Sequence, residues 1–191
     1  KTAFVFQEPR LMPWLNVWDN IIFGLKKNQV DRAKIQDIIT TVNLSGFEKA
    51  YPSQLSGGMQ QRAAIARALA YESTFILMDE PFAALDYFTR EQMQKELLRV
   101  QQKEHSSIMF VTHSIDEALH VLEQNDVGVV VTDTKVGGEN TFDFLRVLKQ
   151  QYPQVMTVML TAYADADAVM KLINQAQVCR LSFKPVKRGA I

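Results

Sequence analysis

Short apolar runs alternate along this chain with longer stretches in which apolar residues recur every three or four positions. Residues 3–6, Ala-Phe-Val-Phe, are the first run and predict a buried strand. It is closed by Gln7-Glu8-Pro9, because proline has no N–H to give to a ladder. From residue 16 to 43 the spacing is helical: Val17, Ile21, Ile22 and Leu25 share one face, and after Asp31 so do Ile35, Ile38, Ile39 and Val42. A polar stretch leads to Ser56-Gly57-Gly58, where Ser56 is placed as the N-cap of an alanine-rich helix over 59–71. Ala64, Ile65, Ala68 and Leu69 are its expected inner face.

Residues 75–78 predict a second strand, ending at Asp79-Glu80-Pro81. Beyond it the pattern predicts helix 88–104, strand 108–112, helix 115–123, strand 127–132, helix 141–151, strand 155–160, helix 165–175 and strand 180–183. Strands separated by helices of this length imply right-handed βαβ crossovers. The fold class is therefore α/β, a parallel sheet of βαβ units with a helical piece inserted near the start. No Gly/Ser/Pro-rich linker interrupts the alternation, so one continuous sheet is expected.

Composition narrows the function classes. The 191 residues hold 21 Lys or Arg against 21 Asp or Glu, with 47% hydrophobic and 9% aromatic residues. That is the composition of a chain with a packed core, and a balanced charge lacks the basic excess that binds nucleic acid without sequence preference. Cys179 is the sole cysteine, which excludes an internal disulfide and fits a reducing compartment. The most continuous apolar run, 127–131, is strand-length, far short of the roughly 18 residues that span a bilayer. The first residue is Lys1 and no signal-peptide pattern follows, so the sequence is expected to begin inside a longer reading frame.

The chemistry gathers at helix starts and strand ends. Ser56-Gly57-Gly58 offers free backbone N–H groups at a positive helix terminus, which suits a phosphate. Asp79 and Glu80 end an apolar strand, where one carboxylate can hold Mg²⁺ and its neighbour can orient or deprotonate a water. His113 ends the next strand, at the edge where open α/β sheets bind ligands. Alone, each has an ordinary structural role as helix cap, solvated strand end or packed imidazole; order and spacing together argue for phosphoryl transfer.

Residues 1–122 resemble the nucleotide-binding domain of ABC transporters. Leu55-Ser56-Gly57-Gly58-Met59-Gln60 looks like the signature motif, 75–80 like the Walker B strand with catalytic Glu80, Ala83-Ala84-Leu85-Asp86 like the D-loop, His113 like the switch histidine, and Gln7 like the Q-loop glutamine. The wording of 7–15 and 80–86 is most similar to nitrate, sulfonate and taurine importer ATPases. The resemblance implies ATP and Mg²⁺ as cofactors, with Gln7, Ser56, Gly57, Gly58, Gln60, Asp79 and Asp86 at the nucleotide, Asp79 and Gln7 at the metal, and Glu80 and His113 in catalysis. It also implies a second ATPase subunit, a transmembrane permease contacted around 7–18, and a cytoplasmic location, peripheral on the inner face of the membrane. Trp14 and Trp18 are expected to pack into a helical subdomain at about 14–55. In this family a G-x-x-x-x-G-K-[ST] loop cradles the phosphates. None of Gly24, Gly46, Gly57, Gly58, Gly128, Gly137, Gly138 and Gly189 is followed by Lys-Ser or Lys-Thr. The ATPase part is therefore expected to be a fragment without its phosphate loop, able at most to donate Ser56, Gly57 and Gly58 in trans, and inactive alone.

A second constellation follows. The strand at 127–132 ends in Asp133, that at 155–160 in Thr161-Ala162, and the last in Lys184-Pro185. A carboxylate nucleophile, a hydroxyl that bonds a phosphoryl oxygen and a cation that pairs with it compose an aspartyl-phosphate switch. Residues 119–186 resemble the C-terminal two thirds of a response-regulator receiver domain, giving a partial receiver domain at 123–191; the resemblance implies Asp133 as phosphoacceptor, Thr161 and Lys184 as switch residues, and a histidine kinase as partner. Gly137 stands where that family usually has proline and Thr141 where it usually has glycine. The receiver's first strand, with its acidic metal-binding pair, is expected to be missing.

The chain thus reads as a P-loop NTPase-like core running into a flavodoxin-like receiver half, joined within 117–123. Three functions follow: a fragment of an ATP-hydrolysing importer subunit, a phosphorelay receiver, or a chimeric fusion that folds without activity. On one continuous sheet, Asp79 and Glu80 would stand near Asp133 as a substitute acidic pair.

Overall fold

The computed structural model describes residues 1–83, 85–104, 106–161 and 180–183. Its chain divides into two compact units, Lys1–Val111 and Thr112–Ile191.

In the first unit, strand β1 (Thr2–Val5) leads through helix α1 (Val17–Ile21), a 3-10 turn (Lys27–Gln29), helix α2 (Arg32–Thr41) and a second 3-10 turn (Pro52–Gln54) to helix α3 (Gly57–Ala70). Strand β2 (Phe75–Asp79), helix α4 (Tyr87–Glu104) and strand β3 (Ser107–Val111) complete it. The three strands are parallel in the order β1-β2-β3, with Val5 opposite Met78 and Asp79 opposite Val111. Alternation explains the ladder: Ala3, Val5, Ile76 and Met78 point into the core while Phe4 is 48% exposed.

The expected helical stretch at 16–43 is broken into pieces. Asp31 caps α2 by accepting from the N–H groups of Ala33 at 2.9 Å and Lys34 at 3.2 Å. Asn20, fully buried, accepts from the Met12 N–H at 2.8 Å and donates to the carbonyls of Met12, Leu15 and Asn16, which fixes the turn before α1. Trp18 packs against the core as expected, whereas Trp14 is 68% exposed. Helix α3 starts two residues earlier than its apolar pattern, at Gly57, because Ser56 accepts from the Met59 N–H at 3.3 Å. Ala63, Ala64, Ile65, Ala66, Ala68 and Leu69 are all buried on it, so this helix is the centre of the unit rather than its cover.

The second unit holds helix α5 (Ile115–Gln124), strand β4 (Val129–Asp133), a two-residue hairpin of β5 (Lys135–Val136) and β6 (Glu139–Asn140), helix α6 (Phe142–Gln151), strand β7 (Met156–Thr161) and strand β8 (Arg180–Phe183). The parallel order is β4-β7-β8, with Asp133 opposite Leu160 and Thr161 opposite Phe183. The expected helix at 165–175 lies outside the described residues.

The single continuous sheet is not formed: among the described residues β1-β2-β3 and β4-β7-β8 are separate three-stranded sheets. Burial gives the reason. Helix α5 turns Leu122, with Ile115, Ala118 and Leu119 beside it, toward Phe144, Leu145 and Leu148 of α6, and β4 takes β7 as its ladder partner. Asp79 therefore belongs to one sheet and Asp133 to the other. No helix among the described residues is long and apolar enough to cross a membrane.

Candidate functional site

Register sets the first site. Val5 is opposite Met78, so Gln7 and Glu80 each stand two residues beyond that pair, past the ends of neighbouring parallel strands. Gln7 Nε2 donates to Glu80 Oε2 at 3.0 Å, although the two residues are 73 apart in sequence. Glu80 is half-buried and takes a left-handed backbone, φ 44°, which for a non-glycine residue costs on the order of 1 kcal/mol. Its N–H donates to the Val111 carbonyl at 2.9 Å, carrying the β2–β3 ladder one residue past the strand end. Behind it Phe82, 1% exposed, lies 5.6 Å from the Phe110 ring and anchors the turn. Asp79, half-buried, precedes Glu80 at the last position of β2.

Helix α3 closes the Gln7 loop from the other side. Gln61 Nε2 donates to the Phe6 carbonyl at 3.1 Å, and Arg67 donates to the carbonyls of Pro9 at 3.2 Å and Arg10 at 3.1 Å. Burial holds the Arg67 guanidinium below its ordinary pKa. Arg62 donates to the carbonyls of Val42 and Asn43 past the end of α2; burial lowers its pKa too, opposed by the charge of Asp86. None of these three roles is visible in a motif. The signal available in sequence is that Gln61, Arg62 and Arg67 fall among the apolar residues of a largely buried helix, which requires partners for their polar groups.

The remaining first-unit candidates serve local structure. Ser56 and Gly57 are exposed at the start of α3, and a Cβ built on Gly57 would meet nothing within 4 Å, so the approach to this backbone is open. Gly58 follows on the first turn. Gln60 donates to the carbonyls of Pro52 at 3.0 Å and Leu55 at 3.3 Å, tying the loop that presents Ser56. Asp86 accepts from Thr89 Oγ1 at 2.7 Å and the Thr89 N–H at 3.0 Å, and these bonds lower its pKa.

His113 belongs to the second unit and is exposed, ahead of Ser114, which accepts from the Glu117 N–H as N-cap of α5. A Cβ on Gly137 would stand 2.7 Å from the His113 carbonyl oxygen, and Gly137 has φ 59°. Both facts exclude proline at this position and explain why a glycine pair turns the β5–β6 hairpin.

Asp133 ends β4 half-buried, its Oδ1 accepting from the Thr134 N–H at 2.7 Å and Thr134 Oγ1 at 3.2 Å. The fully buried Thr141 donates its hydroxyl to the Asp133 carbonyl at 2.8 Å. Threonine here is thus a clamp on the Asp133 backbone. Thr161 ends β7 one position past the partner of Asp133, on a strand about 4.8 Å away. Lys184 lies outside the described residues.

Residues 1–83 match the family model of the ABC transporter, and residues 88–191 match that of the response regulator receiver domain. The aliphatic sulfonates import ATP-binding protein SsuB of Bacillus thuringiensis is 40% identical over 180 residues, 91% of this chain and 70% of that protein. SsuB of Bacillus subtilis is 50% identical over 120 residues, 62% of this chain and 47% of its own length. A solved dimeric ATP-binding cassette in a post-hydrolysis state, bound to ADP and Pi, is 34% identical with a TM-score of 0.54; the likeness covers 61% of this chain and 53% of that one. The chain thus spans only about half of two of these three relatives.

Proposed function

We propose, for a chain that belongs to the ABC transporter ATP-binding family and carries a response regulator receiver domain, that its first unit is the hydrolytic half of an importer ATPase site. The observation that carries this reading is the Gln7–Glu80 hydrogen bond across the ends of β1 and β2. Glu80, held at one strand end by Val111, orients or deprotonates the attacking water. Gln7 gives its Nε2 to Glu80, so its Oε1 is the atom left to face a hard cation beside the Asp79 carboxylate. These oxygen donors suit Mg²⁺, which when bound neutralises charge on transferring phosphates. The 191 residues contain no G-x-x-x-x-G-K-[ST] segment, so the phosphate cradle must be supplied from outside them. Ser56, Gly57 and Gly58 are the backbone this chain would offer to ATP on a second subunit, with Gln60 holding their loop and Asp86 at the following turn. His113, in the second unit, is the residue that the family resemblance would make the switch histidine. The SsuB likeness favours a sulfonate-type importer, a permease docked around 7–18, where Trp14 is exposed, and the cytoplasmic face of the membrane.

The test supplies what is missing. The chain alone, with MgATP, is expected to show no turnover. The same chain carrying the phosphate-loop segment of Bacillus SsuB in front of Lys1 is expected to hydrolyse ATP, and Glu80→Gln to abolish it. A fused protein that folds and binds ATP yet turns over equally well with Glu80→Gln overturns the reading.

A second reading concerns the second unit and rests on Asp133 and Thr161 ending neighbouring parallel strands, one register position apart. We infer a phosphorelay receiver phosphorylated on Asp133, with Thr161 and Lys184 as its switch residues and a histidine kinase as donor. Incubation with acetyl phosphate is expected to label the wild-type chain and not Asp133→Asn; equal labelling of both overturns it.

A further inference from the structure

We infer that Gln61 and Arg67 are positioning residues that set where Gln7 meets Glu80. The inference rests on the reading of that pair as hydrolytic, and it concerns helix α3 rather than the pair itself. Gln7 and Glu8 are the two residues between the Phe6 carbonyl, held by Gln61, and the Pro9 and Arg10 carbonyls, held by Arg67. The loop is thus gripped on both sides of Gln7 by one helix, at points about 9 Å apart along its axis. Arg10 reinforces the closure: its guanidinium lies 4.1 Å from the Phe6 ring centroid, and its φ of 45° turns the chain back. Glu80 is held from the opposite direction, through β3. The Gln7–Glu80 bond therefore closes only when α3 and the sheet stand in the right relation.

Gln61 shows that this arrangement is more than packing. It is 1% exposed, and its Oε1 is buried with no hydrogen-bond partner. A buried acceptor left unpaired weakens a fold, and an apolar side chain of the same volume would avoid that penalty. The amide is explained by its donor, and the donor goes to the residue before Gln7. Arg67 likewise spends its donors on main-chain carbonyls of the loop. Because α3 begins at Ser56-Gly57-Gly58, the helix that would present backbone to a phosphate is also the one that places Gln7.

Nuclear magnetic resonance on the full chain tests this without ATP turnover. Gln61→Met keeps the volume and removes the donor; it is expected to leave the unfolding midpoint unchanged or higher. In the same variant the backbone order parameters of Gln7 and Glu8 are expected to fall from about 0.85 to below about 0.6. The Gln7 side-chain amide resonance is expected to move toward its position in Glu80→Ala. Arg67→Ala is expected to do the same, and Arg67→Lys, which can still reach one carbonyl, to recover part of the order. The inference is overturned if Gln7 and Glu8 stay as ordered as in the wild type when Gln61→Met folds, or if order is lost equally along α3. Should Arg67→Ala fail to fold, Gln61→Met decides. A phosphate-loop fusion that turns over regardless of Glu80 removes the hydrolytic reading alone, because the loosening of Gln7 is read separately.

Discussion

The strand edge at Gln7 and Glu80 and the strand edge at Asp133 and Thr161 carry the same kinds of residue, a carboxylate at one strand end and a polar residue at the end of the neighbouring parallel strand, yet they are held in opposite ways. The first is fixed from far away in sequence: Gln61, Arg67 and Val111 hold the backbone around Gln7 and Glu80. The second is fixed locally, by Thr134 at the next position and Thr141 eight residues on. A site held by distant elements depends on the whole core beneath it, whereas a site held by its own loop depends on that loop. The cores differ in the same sense. The first gathers α1, α2, α3 and the sheet around Ile21, Ile39, Ile65 and Met78, while the second rests on α5 and α6 packed around Leu145, Leu148 and Met159.

The largest expected effect separates the two regions outright. Both tryptophans, Trp14 and Trp18, lie in the first unit, so their fluorescence reports that unit alone. Ile65→Ala, at 1% exposure, is expected to cost about 3 kcal/mol and to shift the fluorescence-detected denaturant midpoint. Leu148→Ala, at 2% exposure, is expected to cost a similar amount, shifting a circular-dichroism transition and leaving the fluorescence in place. A shift of the fluorescence midpoint in Leu148→Ala would mean that the regions unfold as one.

Smaller effects probe the local loop. Gly137→Ala combines a left-handed backbone with a Cβ 2.7 Å from the His113 carbonyl and is expected to destabilise the second unit by about 2 kcal/mol. Thr141→Val removes a buried hydroxyl from the Asp133 carbonyl, for an expected loss of about 1.5 kcal/mol and slower labelling by acetyl phosphate. Labelling at the wild-type rate would show that this clamp does not orient the carboxylate. The smallest effect is electrostatic. The Thr89 bonds hold the Asp86 pKa below its unfolded value, so their stabilisation is fully present above the ordinary aspartate range and is lost as pH falls through the lowered one. Asp86→Asn is expected to flatten this acid limb of the tryptophan-detected stability curve, and an unchanged limb would assign the dependence to other carboxylates.

Much of the fold was legible because its determinants are local. Short apolar runs marked β1 and β2, Ser56 marked the start of α3 by capping, and Asp79, Glu80 and Asp133 were found at the ends of apolar runs. The meeting point of the two families has no single mark: motif wording changes at 117–123, the compact units divide between Val111 and Thr112, and the family matches leave 84–87 between them. Helix α5 suits either family by pattern, and only the core it joins decides its allegiance.

By itself, the sequence determined which residues are candidates for the chemistry, because strand ends, glycine-containing helix starts and motif spacing are properties of short segments. Tertiary structure alone decided that the strands divide into two sheets, that Gln61 and Arg67 grip the loop of Gln7, and that Gly137 fits beneath His113 where proline cannot. Each of these depends on which distant surface an element buries, and burial is settled by the packing of the whole chain rather than by any window of it.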